Sequence, residues 1–158
     1  MTYALLKSIH LLALMVWIGG MFFALFCLRP ALGLIDGPVR LRFMVQVLGR
    51  FLVWVGVAVG LLLLTGVAMW WLAMQAASAQ GQRFAMPWPW AAMVSLGLLM
   101  VAVYAHIRWV LFARLCAAAQ VPDPAAGAAA LAGVRRWVTV NLVIGVLVVL
   151  VMRVGLAA

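Results

Sequence analysis

The sequence predicts an all-α integral membrane protein, a bundle of four transmembrane helices in which residues 1–158 form a single membrane domain. Three observations support this fold class. Hydrophobic residues make up 70% of the chain and charged residues only 8%, whereas soluble domains carry roughly 25% charged residues. Four apolar stretches each approach or exceed the roughly 20 residues that cross a bilayer. The connections between them are too short to supply the strands of a membrane barrel.

Charges, prolines and tryptophans place the four spans at about residues 3–28, 43–71, 90–114 and 137–153. The first span ends at Arg29-Pro30, where a charge and a helix breaker coincide. The third begins after the Pro87–Trp90 segment, because proline suits a first helical turn and indole suits the membrane interface. The apolar run of the first span is longer than the core of a signal peptide, so we expect it in the mature protein.

The basic residues predict the orientation of the bundle. Six arginines flank the first and third connections, whereas three basic residues lie at the opposite side. The first group is Arg29, Arg40, Arg42, Arg114, Arg135 and Arg136, and the second is Lys7, Arg83 and Arg153. The positive-inside rule makes the arginine-rich side cytoplasmic, so both termini are expected to face outward. These arginines and anionic lipid headgroups also account for the net charge of +9 without nucleic-acid binding.

Polar groups inside the membrane are costly, and they are therefore the functional candidates. No Asp or Glu lies in any span, which excludes a carboxylate proton relay and carboxylate-based ion coupling. The remaining candidates are the methionines together with a short set of polar residues: His10, Arg50, Thr65, Ser95, Tyr104, His106, Arg108 and Asn141.

Depth along the helices divides these residues into two layers. The outer layer contains His10, Thr65, Met69 and Met93. The inner layer contains Arg50, His106 and Asn141, which we expect to form a polar layer that fixes helix packing, with His106 and Asn141 hydrogen-bonded to each other. Arg50 is expected to be buried there, where it can bind a haem propionate, an anionic lipid or the carbonyl ends of neighbouring helices.

The outer layer suits two cofactors. Imidazole and thioether ligands favour Cu(I), so His10, Met93 and Met69 are a candidate copper site. His10 and Met93 can also be the axial ligands of haem b, with Trp17, His106 and Arg50 as further candidate contacts. The His10–Met21 face of the first helix and the Met93–Tyr104 face of the third are expected to enclose an apolar pocket. One haem does not bridge His10 and His106, which differ in depth by roughly 15 Å. Methionines are also common as packing residues.

Several segments resemble a known membrane family. Residues 6–23, from Leu6 through the His10-to-Trp17-Ile18-Gly19-Gly20 stretch, resemble the opening of CopD-family membrane proteins, which are associated with bacterial copper resistance and uptake, and so do residues 28–32. Similar segments follow at residues 48–51, 93–100, 104–106, 135–136 and 141–142. The resemblance implies a protein that handles copper at or across the membrane, with a periplasmic copper-binding protein as a partner.

The first helix also resembles that of HemJ-type protoporphyrinogen oxidases, which bind haem b through a similar histidine. That family uses a lysine in its third helix, and this sequence has no lysine after Lys7. The difference argues against protoporphyrinogen oxidation and leaves haem binding open through His10. Three functions therefore remain candidates. The sequence favours copper handling; the alternatives are haem b redox chemistry with an electron-transfer partner and an accessory subunit without a cofactor. The sequence leaves open whether the chain forms a homo-oligomer.

Overall fold

The computed structural model describes residues 1–34, 36–121 and 123–155, and it contains four long helices. Helix α1 consists of Thr2–Phe23, the π-helical turn Ala24–Leu28, the α-helical turn Arg29–Ala31 and the 3₁₀ turn Leu32–Leu34. Helix α2 is Gly37–Ala79; α3 is Trp88–His106, continued by the π-helical turn Ile107–Leu111 and by Phe112–Ala118; α4 is Pro124–Gly155. All four are long and apolar enough to cross a membrane, and the described residues include no strand. The predicted four-helix membrane fold is confirmed.

The helices begin and end at residues with clear physical reasons. Asp123 Oδ1 accepts hydrogen bonds from the backbone N–H groups of Ala125 and Ala126, at 2.9 and 3.2 Å, and so caps the start of α4. After α2, Gly81 takes a φ of +68°, a left-handed conformation that favours glycine at a helix end. Pro89 lies in the first turn of α3, where its missing N–H costs nothing.

The π-helical turn in α1 lies directly before Pro30. A proline ring inside a helix collides with the carbonyl four residues earlier, here that of Phe26, and supplies no N–H to bond it. Phe26 lies inside the turn Ala24–Leu28, which widens around this carbonyl. The chain remains helical past Pro30, so α1 continues for one more turn instead of ending at the Arg29-Pro30 pair.

The helices form a bundle in which consecutive helices are antiparallel. Helix α1 packs on α2 and α4, and α3 packs on α4 along its length. Helices α2 and α3 approach each other mainly through the last part of α3, Phe112–Ala118. Helices α1 and α3 therefore lie diagonally across the bundle. Its core includes Trp17, Val55 and Met100, which are 3%, 1% and 1% exposed.

Close contacts set the heights of the helices relative to one another. A β-carbon added at Gly145 would lie 3.1 Å from Ile18 and 3.2 Å from Met100, so three helices meet at this glycine. At another level, the Tyr104 hydroxyl donates a 2.9 Å hydrogen bond to the Leu52 carbonyl oxygen. Together, these two contacts show which residues of α1, α2, α3 and α4 lie at the same height in the bundle. They require no assumption about the position of the membrane.

The same register sets arginines and tryptophans of α2 and α3 at matching heights. Arg50 and Trp70 are about 20 residues apart on α2, and Trp88 and Arg108 are about 20 residues apart on α3, which is about 30 Å along either axis. That is the thickness of a bilayer hydrocarbon core. Because Tyr104 meets Leu52, both arginines lie at one edge of the interval and the tryptophans at the other. We call these the arginine edge and the tryptophan edge.

Candidate functional site

His10 is held against α2 by a hydrogen bond that also selects its tautomer. Its Nδ1 lies 2.8 Å from Thr65 Oγ1, and that oxygen lies 2.6 Å from the Leu61 carbonyl oxygen. A carbonyl can only accept, so the single hydroxyl hydrogen of Thr65 is donated to Leu61. Toward His10 the hydroxyl oxygen then accepts, and the hydrogen on the ring is assigned to Nδ1. The other nitrogen, Nε2, keeps its lone pair and is able to bind a metal.

The fit of His10 against α2 requires a small neighbour. Thr65 is buried, at 5% exposure, and the next residue is Gly66, where an added β-carbon would lie 3.7 Å from His10 Cε1. The ring therefore lies on the surface that Thr65 and Gly66 form together. The hydrogen bond to Thr65 fixes the orientation of the His10 ring. In known metal sites, residues that hydrogen-bond to a metal-binding histidine have the same effect. The outer-layer residues His10 and Thr65 are thus brought together as the depth argument predicts.

Met93 lies at the same depth as His10. His10 is eight residues before Ile18 and Met93 is seven residues before Met100, which places them about 12 and 10 Å from the level of Gly145. Met93 is half-buried and packs against the core. It also shares a helix face with buried Met100, seven residues on, just as His10 shares one with buried Trp17. Both side chains belong to the interior faces of their helices.

Met69 lies nearer the tryptophan edge than His10 does. It is four residues after Thr65 on the same face of α2, so it lies about 6 Å farther out. Its side chain is half-buried. Met69 is thus placed toward the mouth of the candidate site, above the pair formed by His10 and Thr65.

Open space remains between α2 and α3 in this half of the bundle. A β-carbon added at Gly60 or at Gly97 would meet no heavy atom within 4 Å. Gly60 is one turn from Gly56, whose α-carbon faces the Tyr104 hydroxyl of α3, and Gly97 is seven residues from Tyr104. Both glycines therefore lie on the facing sides of the two helices. Sequence reasoning missed this opening; the spacing of the glycines on the facing helices was the signal for it.

The pocket expected between α1 and α3 is closed at its inner end, and that expectation is corrected there. The rings of Trp17 and Tyr104 meet edge to face, with centroids 6.3 Å apart and planes at 80°. Trp17 and Met21 are 3% and 2% exposed, so the interior two to three turns below His10 is filled by side chains. The faces pack against each other because aromatic and thioether groups gain contact energy by filling the interior. Only the outer part, near Met93 and Gly97, retains room.

The inner polar layer is not arranged as the sequence predicts. Arg50 is exposed at the arginine edge instead of buried between helices, because it is two residues from both buried Leu48 and buried Leu52 and so lies on the opposite face of α2. His106 does not bond Asn141; it lies against Trp137, with ring centroids 5.0 Å apart. Asn141 is 1% exposed, and its Oδ1 has no hydrogen-bond partner. These three residues are therefore at separate places instead of forming one polar clamp.

The donor types available restrict the metals that fit. Among the described residues, no group of three or more His, Cys, Asp or Glu side chains is placed to hold an ion. Cys27 and Cys116 are free thiols, and Cys27 is exposed. The soft donors near the depth of His10 are the thioethers of Met93 and, about one turn farther out, Met69. One imidazole with thioethers is a soft donor set that suits Cu(I) better than Zn²⁺ or Mg²⁺.

Fold and site together define a four-helix integral membrane protein with an imidazole and methionine groups in one half of the bundle. The family model described as Copper resistance protein D (CopD) matches residues 45–154, which comprise most of α2 and all of α3, and α4 to within one residue of its end. The chain belongs to this family. Helix α1, with His10, lies wholly before the matched residues. No curated protein and no solved structure is significantly similar to the chain.

Proposed function

We propose that the protein handles copper in the half of the bundle that carries the tryptophan edge, with His10 Nε2 and the Met93 thioether as ligands of Cu(I). The observation that carries this proposal is the 2.8 Å hydrogen bond between His10 Nδ1 and Thr65 Oγ1, because the ring hydrogen assigned to Nδ1 leaves Nε2 with a free lone pair at the depth of Met93. Met69, about one turn farther out, is the ligand that an entering ion meets first.

Membership of the copper resistance family supports copper as the cargo. Imidazole and thioether bind Cu(I) without any negative charge, so an ion held by them keeps its positive charge in a low-dielectric setting. Such a site favours transient binding and onward transfer over permanent storage. We propose that the ion is exchanged with a copper-binding protein in the periplasm, since the positive-inside rule places the tryptophan edge and both termini on that side of a bacterial inner membrane.

A haem b site is the second candidate function. His10 and Met93 are the candidate axial ligands, and the open space beside Gly60 and Gly97 lies four to five residues farther inward, about 6 to 8 Å deeper. The contact between Trp17 and Tyr104 limits how far a porphyrin can extend inward. Bound haem would make the protein an electron carrier with a membrane or periplasmic redox partner.

Metal content and absorption spectra of three variants test the proposal. Purified wild-type protein should bind copper, His10→Ala should lose most of it, and Met93→Leu should bind more weakly, because one soft ligand of several is removed. His106→Ala is the matched control: its ring lies against Trp137 near the arginine edge, so copper binding should be unchanged.

Two outcomes would reverse the assignment. If His106→Ala abolishes copper binding while His10→Ala retains it, the site in the outer half is wrong. A Soret band in the wild type that disappears in His10→Ala, without bound copper, would select the haem function instead.

A further inference from the structure

A groove on the outside of the bundle separates α2 from α3 near the arginine edge. It has a volume of about 330 Å³ and is lined by Val45, Gln46, Gly49, Arg50, Val53 and Phe112. Val53 is 55% exposed and Arg50 is also exposed, so the groove opens away from the core. In a bilayer, this opening faces lipid at the boundary between acyl chains and headgroups.

The floor of the groove depends on a glycine. A β-carbon added at Gly49 would lie 3.2 Å from Phe112 Cζ, so the absence of a side chain allows this ring to approach α2. The guanidinium carbon of Arg108 lies 5.6 Å from the centroid of the same ring. Arg50 from α2 thus lines the groove, and Arg108 from α3, which is not part of the lining, lies beside it against the Phe112 ring. One cationic group in the wall and a second next to it are combined with apolar walls.

The protein supplies no carboxylate to either arginine along these helices. Asp36 and Asp123 are the only acidic residues of the sequence, so no acid occurs between residues 37 and 122. Asp123 Oδ1 already accepts two backbone hydrogen bonds at the start of α4. Neither guanidinium group therefore has a carboxylate partner within α2 or α3 as the structure describes them, and ionised groups at the edge of the hydrocarbon are stabilised by a partner.

We propose that this groove binds the phosphate of an anionic phospholipid. Arg50 and Arg108 supply charge-assisted hydrogen bonds to the phosphate oxygens, and the Gln46 amide, one turn from Arg50, supplies another donor. The first segment of an acyl chain lies along Val45, Val53 and Phe112. Apolar walls beside two cationic groups match an amphipathic ligand, whose acyl chain contacts the walls while its phosphate meets the arginines. A free phosphate ion gains nothing from the apolar walls. Basic pockets between transmembrane helices bind anionic headgroups in this manner.

Native mass spectrometry of the full-length protein in detergent tests this site. The protein is titrated with phosphatidylglycerol, with phosphatidylcholine of the same acyl chains, and with inorganic phosphate. Phosphatidylglycerol should bind about tenfold more tightly than phosphatidylcholine, and Arg50→Gln and Arg108→Gln should each remove roughly tenfold of that affinity. Arg50→Lys should retain most of it. Arg83→Gln, in the connection at the tryptophan edge, is the matched control and should bind like the wild type.

Each alternative result contradicts a definite part of the proposal. Wild-type affinity in both glutamine variants would remove the phosphate site. Equal affinities for the two lipids would remove the preference for an anionic lipid, because phosphatidylcholine carries the same phosphate group. Displacement of phosphatidylglycerol by an equal concentration of inorganic phosphate would assign the groove to the free ion instead of the lipid. If Arg50→Gln does not fold, Arg108→Gln decides the question by itself, because it removes a guanidinium group from the other helix.

Discussion

The hydroxyl of Thr65 should control how well His10 binds copper. Thr65→Val removes this hydroxyl and keeps the shape of the side chain. Without it, Nδ1–H of His10 loses its acceptor at 2.8 Å, and the ring is free to adopt the tautomer that carries hydrogen on Nε2. In that tautomer Nε2 carries hydrogen and has no lone pair for copper, so binding at Nε2 must first restore the Nδ1–H form without the Thr65 acceptor.

The size of the effect follows from the cost of that unpaired group. Leaving a buried donor unsatisfied costs about 1–3 kcal/mol, and about 1.4 kcal/mol corresponds to a tenfold change in affinity. His10 is partly buried, so we expect a loss of about 10- to 100-fold in copper affinity, the range seen for outer partners of metal-binding histidines. Thr65→Ser keeps the hydroxyl and should remain within a fewfold of the wild type.

Competition against a chromophoric Cu(I) chelator measures these affinities. Thr139→Val is the matched control, because the Thr139 hydroxyl also donates to the carbonyl four residues earlier, at 3.0 Å to Arg135, but lies exposed on α4 without a histidine. The reasoning is refuted if Thr65→Val binds Cu(I) within about twofold of the wild type, or if Thr139→Val loses as much affinity as Thr65→Val.

Two further predictions concern the inner half and the topology. Asn141→Leu should leave the thermal midpoint in detergent unchanged or raise it. Asn141 Oδ1 is buried without a hydrogen-bond partner, and leucine, an apolar side chain of similar size, has no such polar group to bury. A drop of several degrees in the midpoint would show that the amide is hydrogen-bonded. Reporters fused after Ala158, which lies outside the described residues, should be active in the periplasm and inactive in the cytoplasm, and the reverse pattern would contradict the positive-inside assignment.

The outer part of the candidate site was accessible to sequence reasoning because it depends mainly on depth. A rise of about 1.5 Å per residue places His10, Thr65 and Met93 at similar heights once the helices are antiparallel, and the His10–Thr65 hydrogen bond agrees with that estimate. The depth of a residue does not specify the direction in which its side chain points around the helix axis. The hydrogen bond of Tyr104 to Leu52 and the contact of His106 with Trp137 depend on rotation and rotamer, and neither was anticipated.

Arg50 illustrates how a small error in a helix boundary changes a functional interpretation. Hydropathy starts the second span near Phe43 and thereby places Arg50 about two turns inside the membrane. The helix itself starts at Gly37 and extends to Ala79, about 64 Å in all, so a 30 Å membrane interval has freedom to lie elsewhere along it. The Tyr104–Leu52 hydrogen bond sets Arg50 close to the level of Arg108, and its position opposite the buried Leu48 and Leu52 makes it an exposed arginine on the outside of the bundle.

The sequence by itself determined the number of helices, their membrane-crossing character and the absence of acidic chemistry within them. These properties follow from composition and length, because lipid requires every backbone group to be bonded within its own helix. Only the tertiary structure decided which polar groups meet. Helices in lipid associate through close packing, so single glycines such as Gly49 and Gly145 decide which side chains of the neighbouring helices come into contact. A local sequence pattern does not show which helix will pack on such a glycine.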